Sequence, residues 1–286
     1  MSTQAIVETH LHGLDWDAEK DEARQIQMSL LPAADLIGNG FEVSCRFTPY
    51  SEVGGDFADF FQLPNGIVGL YVGDVVGKGL PAAMYAALVM GMLRGTNKTG
   101  EDSGTVLTML NKRLLVRPIG GRFAATLYAM FDPATRVLTF SNAGVPYPLH
   151  ASRTGCVTVG EGGIPSGLFP GITYEVQSLQ LEPGDAVLFA TDGLHEVQDR
   201  NGEDFMNGEL AKIWSECAKA PARESLDRLF RGLKVFSQGG RVHDDITVVV
   251  LKVPSLPGAR ESTGGNVVSA GCNVREIGSD VRVNIP

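Results

Sequence analysis

Four aspartates stand where an apolar run meets a turn. Gly54-Gly55-Asp56 precedes one such run, and Leu70-Tyr71-Val72-Gly73-Asp74 ends another. Leu188-Phe189-Ala190-Thr191-Asp192-Gly193 ends a third, and His243-Asp244-Asp245 opens the last. Taken singly, each is an ordinary turn, since Asp and Gly both favour tight connections. Four together put carboxylates at the lips of buried strands. Two like charges 4 Å apart repel by about 4 kcal/mol at an effective dielectric of 20. If the four converge, protons or cations must hold them. Oxygen-only ligands suit hard ions such as Mg2+ or Mn2+. Two such ions sharing a carboxylate can acidify a water and stabilise in-line displacement at phosphorus.

Other chemistries find less support. Gly77-Lys78 suggests a phosphate loop, but Val72 stands where its first Gly belongs and Gly79 replaces the Mg2+-binding Ser or Thr. There is no G-x-S-x-G elbow. His10-x-His12 lies in an N-terminal stretch expected to be frayed, and none of the five histidines has a partner at zinc spacing. Cys45, Cys156, Cys217 and Cys272 are far apart with no CxxC pair, which fits four inert thiols in a reducing cytoplasm. The Asn97-Lys98-Thr99 sequon is expected to be chance.

The elements that must position the aspartates can be read from periodicity. Phe41, Val43, Cys45 and Phe47 alternate with Glu42, Ser44, Arg46 and Thr48, which predicts a half-buried strand. Phe57–Leu63 and Ile67–Val72 flank Pro64-Asn65-Gly66 and predict a hairpin. Leu80–Arg94 and Thr105–Val116 read as a helix pair, and Gly208–Cys217 and Arg223–Phe236 as another. Strands are predicted at 123–131, 136–142, 147–151, 157–159, 174–181 and 186–191. Ile246–Val253 is β-branched and almost wholly apolar, so it should be central. Helices in pairs between runs of strands predict an α+β fold, an antiparallel two-sheet sandwich flanked by helices, over a doubly wound parallel sheet.

Before these elements, Asp15 to Leu31 has acidic residues in its first turn and an apolar stripe of Trp16, Ala23, Ile26 and Leu30, with Pro32 to stop it. Residues 1–14 are expected to be disordered, 15–32 a linker or switch helix, 33–253 the main domain and 254–286 a tail of low order. The chain has 286 residues, 43% hydrophobic and 20% charged, enough to bury a large core without a staple. A net charge of −9 disfavours nucleic acid and anionic membrane surfaces. The N-terminus has no signal-peptide pattern, and the 80–93 apolar stretch is too short to span a bilayer, so a soluble cytoplasmic protein is expected.

The ordered set GGDFAD (54–59), GDVVGKGLPAAM (73–84), SNAGVPYP (141–148), TDGLHE (191–196) and DDITV (244–248) resembles the PPM metal-dependent serine/threonine phosphatases, within them the bacterial SpoIIE/RsbU branch. Arg24 to Pro32 resembles the linker helix of that branch. The resemblance covers roughly residues 20–253. It implies a β-sandwich with two Mn2+ or Mg2+ ions at one edge. Asp74 would bridge them, the Val75 carbonyl would ligate one, Asp56 would serve the ion shared with Asp74, and Asp192 and Asp244 would hold the other. Asp245 is the weaker candidate of its pair. Gly73 and Gly193 would be small to allow close approach. Lys78 would meet the substrate phosphate or face water. Val76, Ala58 and Val145 depart from the branch's usual residues. The Gly162–Leu168 loop reads as a crossover or as a lid.

The implied activity is hydrolysis of phosphoserine or phosphothreonine, and the implied substrate is a phosphorylated STAS-type anti-sigma-factor antagonist in a partner-switching pathway. A homodimer through the 15–31 helix is also implied. Two readings stay beside it: a catalytically weak pseudophosphatase that docks the same partner, and a hydrolase of small phosphoesters.

Overall fold

The computed structural model describes residues 3–63, 65–96 and 100–255, with side chains from residue 17 onward. The tail from 256, Cys272, the 97–99 sequon, Pro64 and the side chains of His10, His12 and Trp16 lie outside the described residues.

The chain enters through helix α1 (Thr3–Leu30) and a short strand β1 (Leu36–Gly38). It continues through β2 (Phe41–Thr48), β3 (Phe57–Gln62) and β4 (Val68–Val75) to the helices α2 (Gly79–Thr96) and α3 (Ser103–Leu114). Next come β5 (Ala124–Asp132), β6 (Val137–Ala143), β7 (Leu149–Ser152), β8 (Gly155–Thr158), β9 (Gln177–Gln180) and β10 (Ala186–Ala190). A single helical turn α4 (Asp192–His195), helices α5 (Glu209–Cys217) and α6 (Ala222–Phe236), and strand β11 (Ile246–Lys252) complete it.

Among the described residues the strands form two sheets, ordered β1-β2-β11-β10-β7-β8 and β3-β4-β5-β6-β9. Every pairing is antiparallel. The expected α+β sandwich is therefore the observed one. Between the sheets lies a core that includes Val43, Cys45, Leu70, Val72, Leu127, Phe131, Phe140, Phe189, Val249 and Leu251. The helix pair α2/α3 covers the outer face of the smaller sheet, where Tyr71 and Tyr128 stack at 6.2 Å. The pair α5/α6 covers the larger sheet around the fully buried Trp214, whose indole N–H donates to the Leu149 carbonyl.

This four-layer stacking explains where strand patterns departed from expectation. β2 was expected to be half-buried, yet Ser44 on its alternate face is also buried, because α6 packs over that face. In β11 every residue is buried, as its apolar composition predicted, and it lies between β2 and β10. Lys252 ends it with its ammonium donating to the carbonyls of Gly184 and Ala218, the latter at the C-terminus of α5, where a cation is favoured. α1 begins at Thr3 rather than Asp15 and the 174–181 strand shrinks to β9, while β1 and α4 were not anticipated.

The inter-sheet core sets the stability. Phe189→Ala, a fully buried truncation between the sheets, should cost about 3–5 kcal/mol. Urea denaturation followed by tryptophan fluorescence would measure it.

Candidate metal centre

The two sheets bring the aspartates to one edge of the sandwich. Asp74 lies near the end of β4, opposite Ala125 of β5. Asp56 immediately precedes β3, whose Phe57 pairs with Gly73. Asp192 stands just beyond the end of β10, as expected, and opens the helical turn α4. Asp244 and Asp245 immediately precede β11, which runs antiparallel beside β10.

Their mutual repulsion is felt directly. Burial, then the charges of Asp74 and Asp245, push the Asp56 carboxyl well above the usual range. Burial, followed by Asp192, Asp244 and Asp245, pushes Asp74 up to about 8. Burial and Asp244 raise Asp192. All four sequence-predicted positions and Asp245 thus share one electrostatic neighbourhood. Thr191 helps to hold it, since its hydroxyl donates to Asp56 Oδ2 (2.7 Å) and accepts from the Thr247 N–H (3.0 Å). Thr247 Oγ1 is buried without a hydrogen-bond partner.

Asp245 takes a different part from the other four. Its Oδ1 accepts the Tyr50 N–H (2.8 Å) and its Oδ2 the Gly55 N–H (2.9 Å). Both oxygens are thereby engaged by the loop that carries Asp56. That loop needs its two glycines. A Cβ on Gly54 would overlap the Asp245 carboxylate, and one on Gly55 would stand 2.6 Å from Asp74 Oδ1 and 2.8 Å from the Val75 carbonyl. Gly73 allows a close backbone approach, by the Ala125 carbonyl, and the Phe57 ring fills the rest of its space. Gly193 likewise allows a close backbone approach, to the Asp245 carbonyl.

Lys78 neither faces water alone nor stands apart from the cluster. Its ammonium pairs with Asp244 Oδ2 at 2.8 Å, donates to the His243 carbonyl and lies 5.1 Å from the centre of the Tyr50 ring. The hydrogen bond to Asp244 raises its pKa. Arg122 was missed by sequence reasoning. Its guanidinium donates to the Val76 carbonyl and packs against Gly77, fixing the turn between β4 and α2. The Gly162–Leu168 loop is pinned at one end. Ser166 exchanges backbone hydrogen bonds with Ala124, and the Gly167 N–H donates to Asn111 Oδ1 (2.7 Å). Its free end borders a cavity of about 420 Å³ between Glu161, Tyr174 and Glu175.

Among the described residues, no three His, Cys, Asp or Glu side chains are arranged to close on a single ion. The donor chemistry nonetheless fits a hard cation: the atoms facing one another are carboxylate oxygens, and Gly55 leaves open the space beside Asp74 Oδ1 and the Val75 carbonyl.

An antiparallel double sheet between two helix pairs is the fold of PP2C-like phosphatase structures. The phosphatase domain of SiaA from Pseudomonas aeruginosa superposes with a TM-score of 0.71 at 19% identity, covering 88% of this chain and 99% of that one. The structure of the RsbU and RsbW domains of a Mycobacterium tuberculosis protein matches at 0.65 and 27% identity, over 79% of this chain and 63% of that one. The family model for stage II sporulation protein E (SpoIIE) matches residues 64–254, and the chain belongs to that family. By sequence it is 24% identical to the phosphoserine phosphatase RsbU of Bacillus subtilis, over 82% of this chain and 70% of that protein. It is also 24% identical to protein IcfG of Synechocystis, of whose length it spans 41%.

The raised Asp74 carboxyl gives a pH dependence to the metal-free protein. Unfolded, this group ionises near the ordinary value of about 4. Between there and about 8 the folded chain keeps a proton that the unfolded chain releases, so stability falls as pH rises through that window. Asp74→Asn removes this contribution. In chelator, the variant should be more stable than the parent at pH 8, by on the order of a few kcal/mol, and about equal to it near pH 4. Thermal melts across pH 4–9 would show the two curves diverging.

Proposed function

We propose that this chain is a Mn2+- or Mg2+-dependent phosphatase acting on phosphoserine or phosphothreonine of a regulatory protein, with a phosphorylated STAS-type anti-sigma-factor antagonist as the substrate class. The observation that carries this reading is the convergence of Asp56, Asp74, Asp192 and Asp244, each supplied by a different part of the chain, at one sheet edge. The kinship to RsbU, named a phosphoserine phosphatase, supports the reaction class.

In this reading Asp56, Asp74, the Val75 carbonyl, Asp192 and Asp244 would together hold the ions. Bound there, such ions acidify a water and neutralise the charge that builds on the phosphoryl oxygens. The chain's own residues hold the arrangement. Thr191 fixes the Asp56 carboxylate through its hydroxyl, and Asp245 fixes the loop through two backbone amides. Lys78, immediately before α2 and paired with Asp244, would exchange that contact for a substrate phosphate. The raised carboxyls also imply that metal binding must release protons, so metal affinity rises with pH.

The test is a mobility-shift assay on a phosphorylated STAS-domain protein, with Mn2+ and with chelator. Dephosphorylation should require the metal. Asp74→Asn should lower the rate at least ~10²-fold, and Asp245→Asn should be milder than Asp244→Asn because asparagine keeps one acceptor oxygen for the loop. Full activity after exhaustive metal removal would overturn the mechanism. Partner binding with no turnover would leave the docking-module reading in its place.

The linker helix offers a second, regulatory expectation. Leu30 packs against the α2/α3 core, whereas Ile26 is 56% exposed. The expected stripe is therefore split, with Leu30 docked on the chain's own core, and the exposed Ile26 is the member that would meet a second copy. Ile26→Asp should shift the mass measured by light scattering toward monomer and move the Mn2+ concentration needed for activity. An unchanged mass and an unchanged titration would reduce the helix to intrachain packing.

A further inference from the structure

Gln27 is polar, sits on α1 and is only 8% exposed, while Gln25, Ile26 and Ser29 around it face solvent. Both ends of its amide are spent on the backbone of one residue, Gly54. Nε2 donates to the Gly54 carbonyl at 2.7 Å, and Oε1 accepts the Gly54 N–H at 3.1 Å. The side chain thereby imitates a neighbouring strand for a residue that has none. Gly55, next along, gives its N–H to Asp245 and receives at its carbonyl the N–H of Val75 (3.3 Å). The two peptides before Asp56 are thus gripped from α1, from the start of β11 and from the end of β4, and α1 supplies the grip on Gly54. The same helix is tied again at its end. Arg94 of α2 donates to the Leu30 carbonyl (2.5 Å) and pairs with Asp59 at 2.8 Å, three residues beyond Asp56.

We infer that Gln27 is a positioning residue for Asp56: its amide sets the place of the Gly54 peptide, so the carboxylate reaches the shared edge only while α1 is seated. The inference rests on the metal-centre reading above. Its distinctive feature is that the link from α1 to the acidic edge is a pair of directional hydrogen bonds, which apolar packing cannot replace.

The test uses the full chain and the variant Gln27→Met, which keeps the volume and removes the amide, with Gln27→Ala as a second variant and Met28→Ala as a packing control on the same helix. Three quantities are read: hydrogen exchange of the Gly54 and Gly55 amides, Mn2+ affinity by calorimetry, and kcat at saturating Mn2+. Gln27→Met should speed exchange at Gly54 and Gly55 while leaving β11 amides protected. It should weaken Mn2+ about 10-fold, as loss of an outer-shell partner does, and leave kcat at saturating Mn2+ within about twofold, since the ligands themselves remain. Met28→Ala should leave Mn2+ affinity near the parent value. The inference is overturned if Gln27→Met folds with unchanged exchange and affinity, if Met28→Ala weakens Mn2+ equally, or if neither Gln27 variant folds, which would make the residue structural. A parent chain that binds no Mn2+ would defeat the metal reading itself, and with it the role assigned to Gln27, even if Gly54 exchange quickened.

Discussion

Like charges in a low-dielectric place must be held together by something other than themselves. At one edge of this sandwich four carboxylates approach one another while partly or wholly withdrawn from water, and burial together with neighbouring negative charge raises the hold of Asp56, Asp74 and Asp192 on protons. No local segment could bear that repulsion. It is sustained because each aspartate belongs to a separately anchored element: the loop before β3, the end of β4, the turn of α4 and the start of β11. The inter-sheet core fixes those elements relative to one another, and the outer helix pairs keep both sheets flat against it. The packed core thus supplies the free energy that keeps the acidic edge assembled.

The polar contacts around the cluster have a division of labour. Thr191 and Lys78 touch carboxylates of the proposed ligand set, the first through a hydroxyl donor and the second through an opposite charge. Asp245, Gln27 and Arg122 make hydrogen bonds to backbone, and each secures a peptide next to a member of the proposed set. Side chains of the second kind carry no signature of chemistry, yet sub-ångström placement of the first kind depends on them.

That difference explains what could be read in the sequence. The strands and helix pairs were legible because period-two and helical apolar patterns are imposed by burial, as in Phe41–Phe47 and Ile246–Val253. The aspartates were legible because apolar runs began or ended at them. Gln27 was not, since a glutamine in a polar helix has the composition of a solvent-facing residue and its partner is 27 positions away. β1, at three residues, and α4, at four, are too short to show a period. α1 reaches back to Thr3 through residues with no clear stripe, which gave no reason to start it before the acidic turn at Asp15. At Gly73 the close backbone approach was legible, but the Phe57 ring across the hairpin was not, because spacing alone does not specify a cross-strand neighbour.

The pairing of β2 with β11 has a consequence for how the molecule is made. Residues 41–48 wait for residues 246–252 before the larger sheet has its centre, so the ladder that joins them closes over nearly the whole domain. Such distant pairing is slow, because chain entropy is surrendered before contacts repay it. On the ribosome, the smaller sheet with Asp74 can form while β11 is still unsynthesised. Asp244 and Asp245 emerge last, immediately ahead of that strand, so the loop bearing Asp56 gains its Asp245 contacts in the final step of assembly. A nascent chain therefore holds an acidic edge that is incomplete until the domain is whole, and synthesis itself withholds the site from partial products.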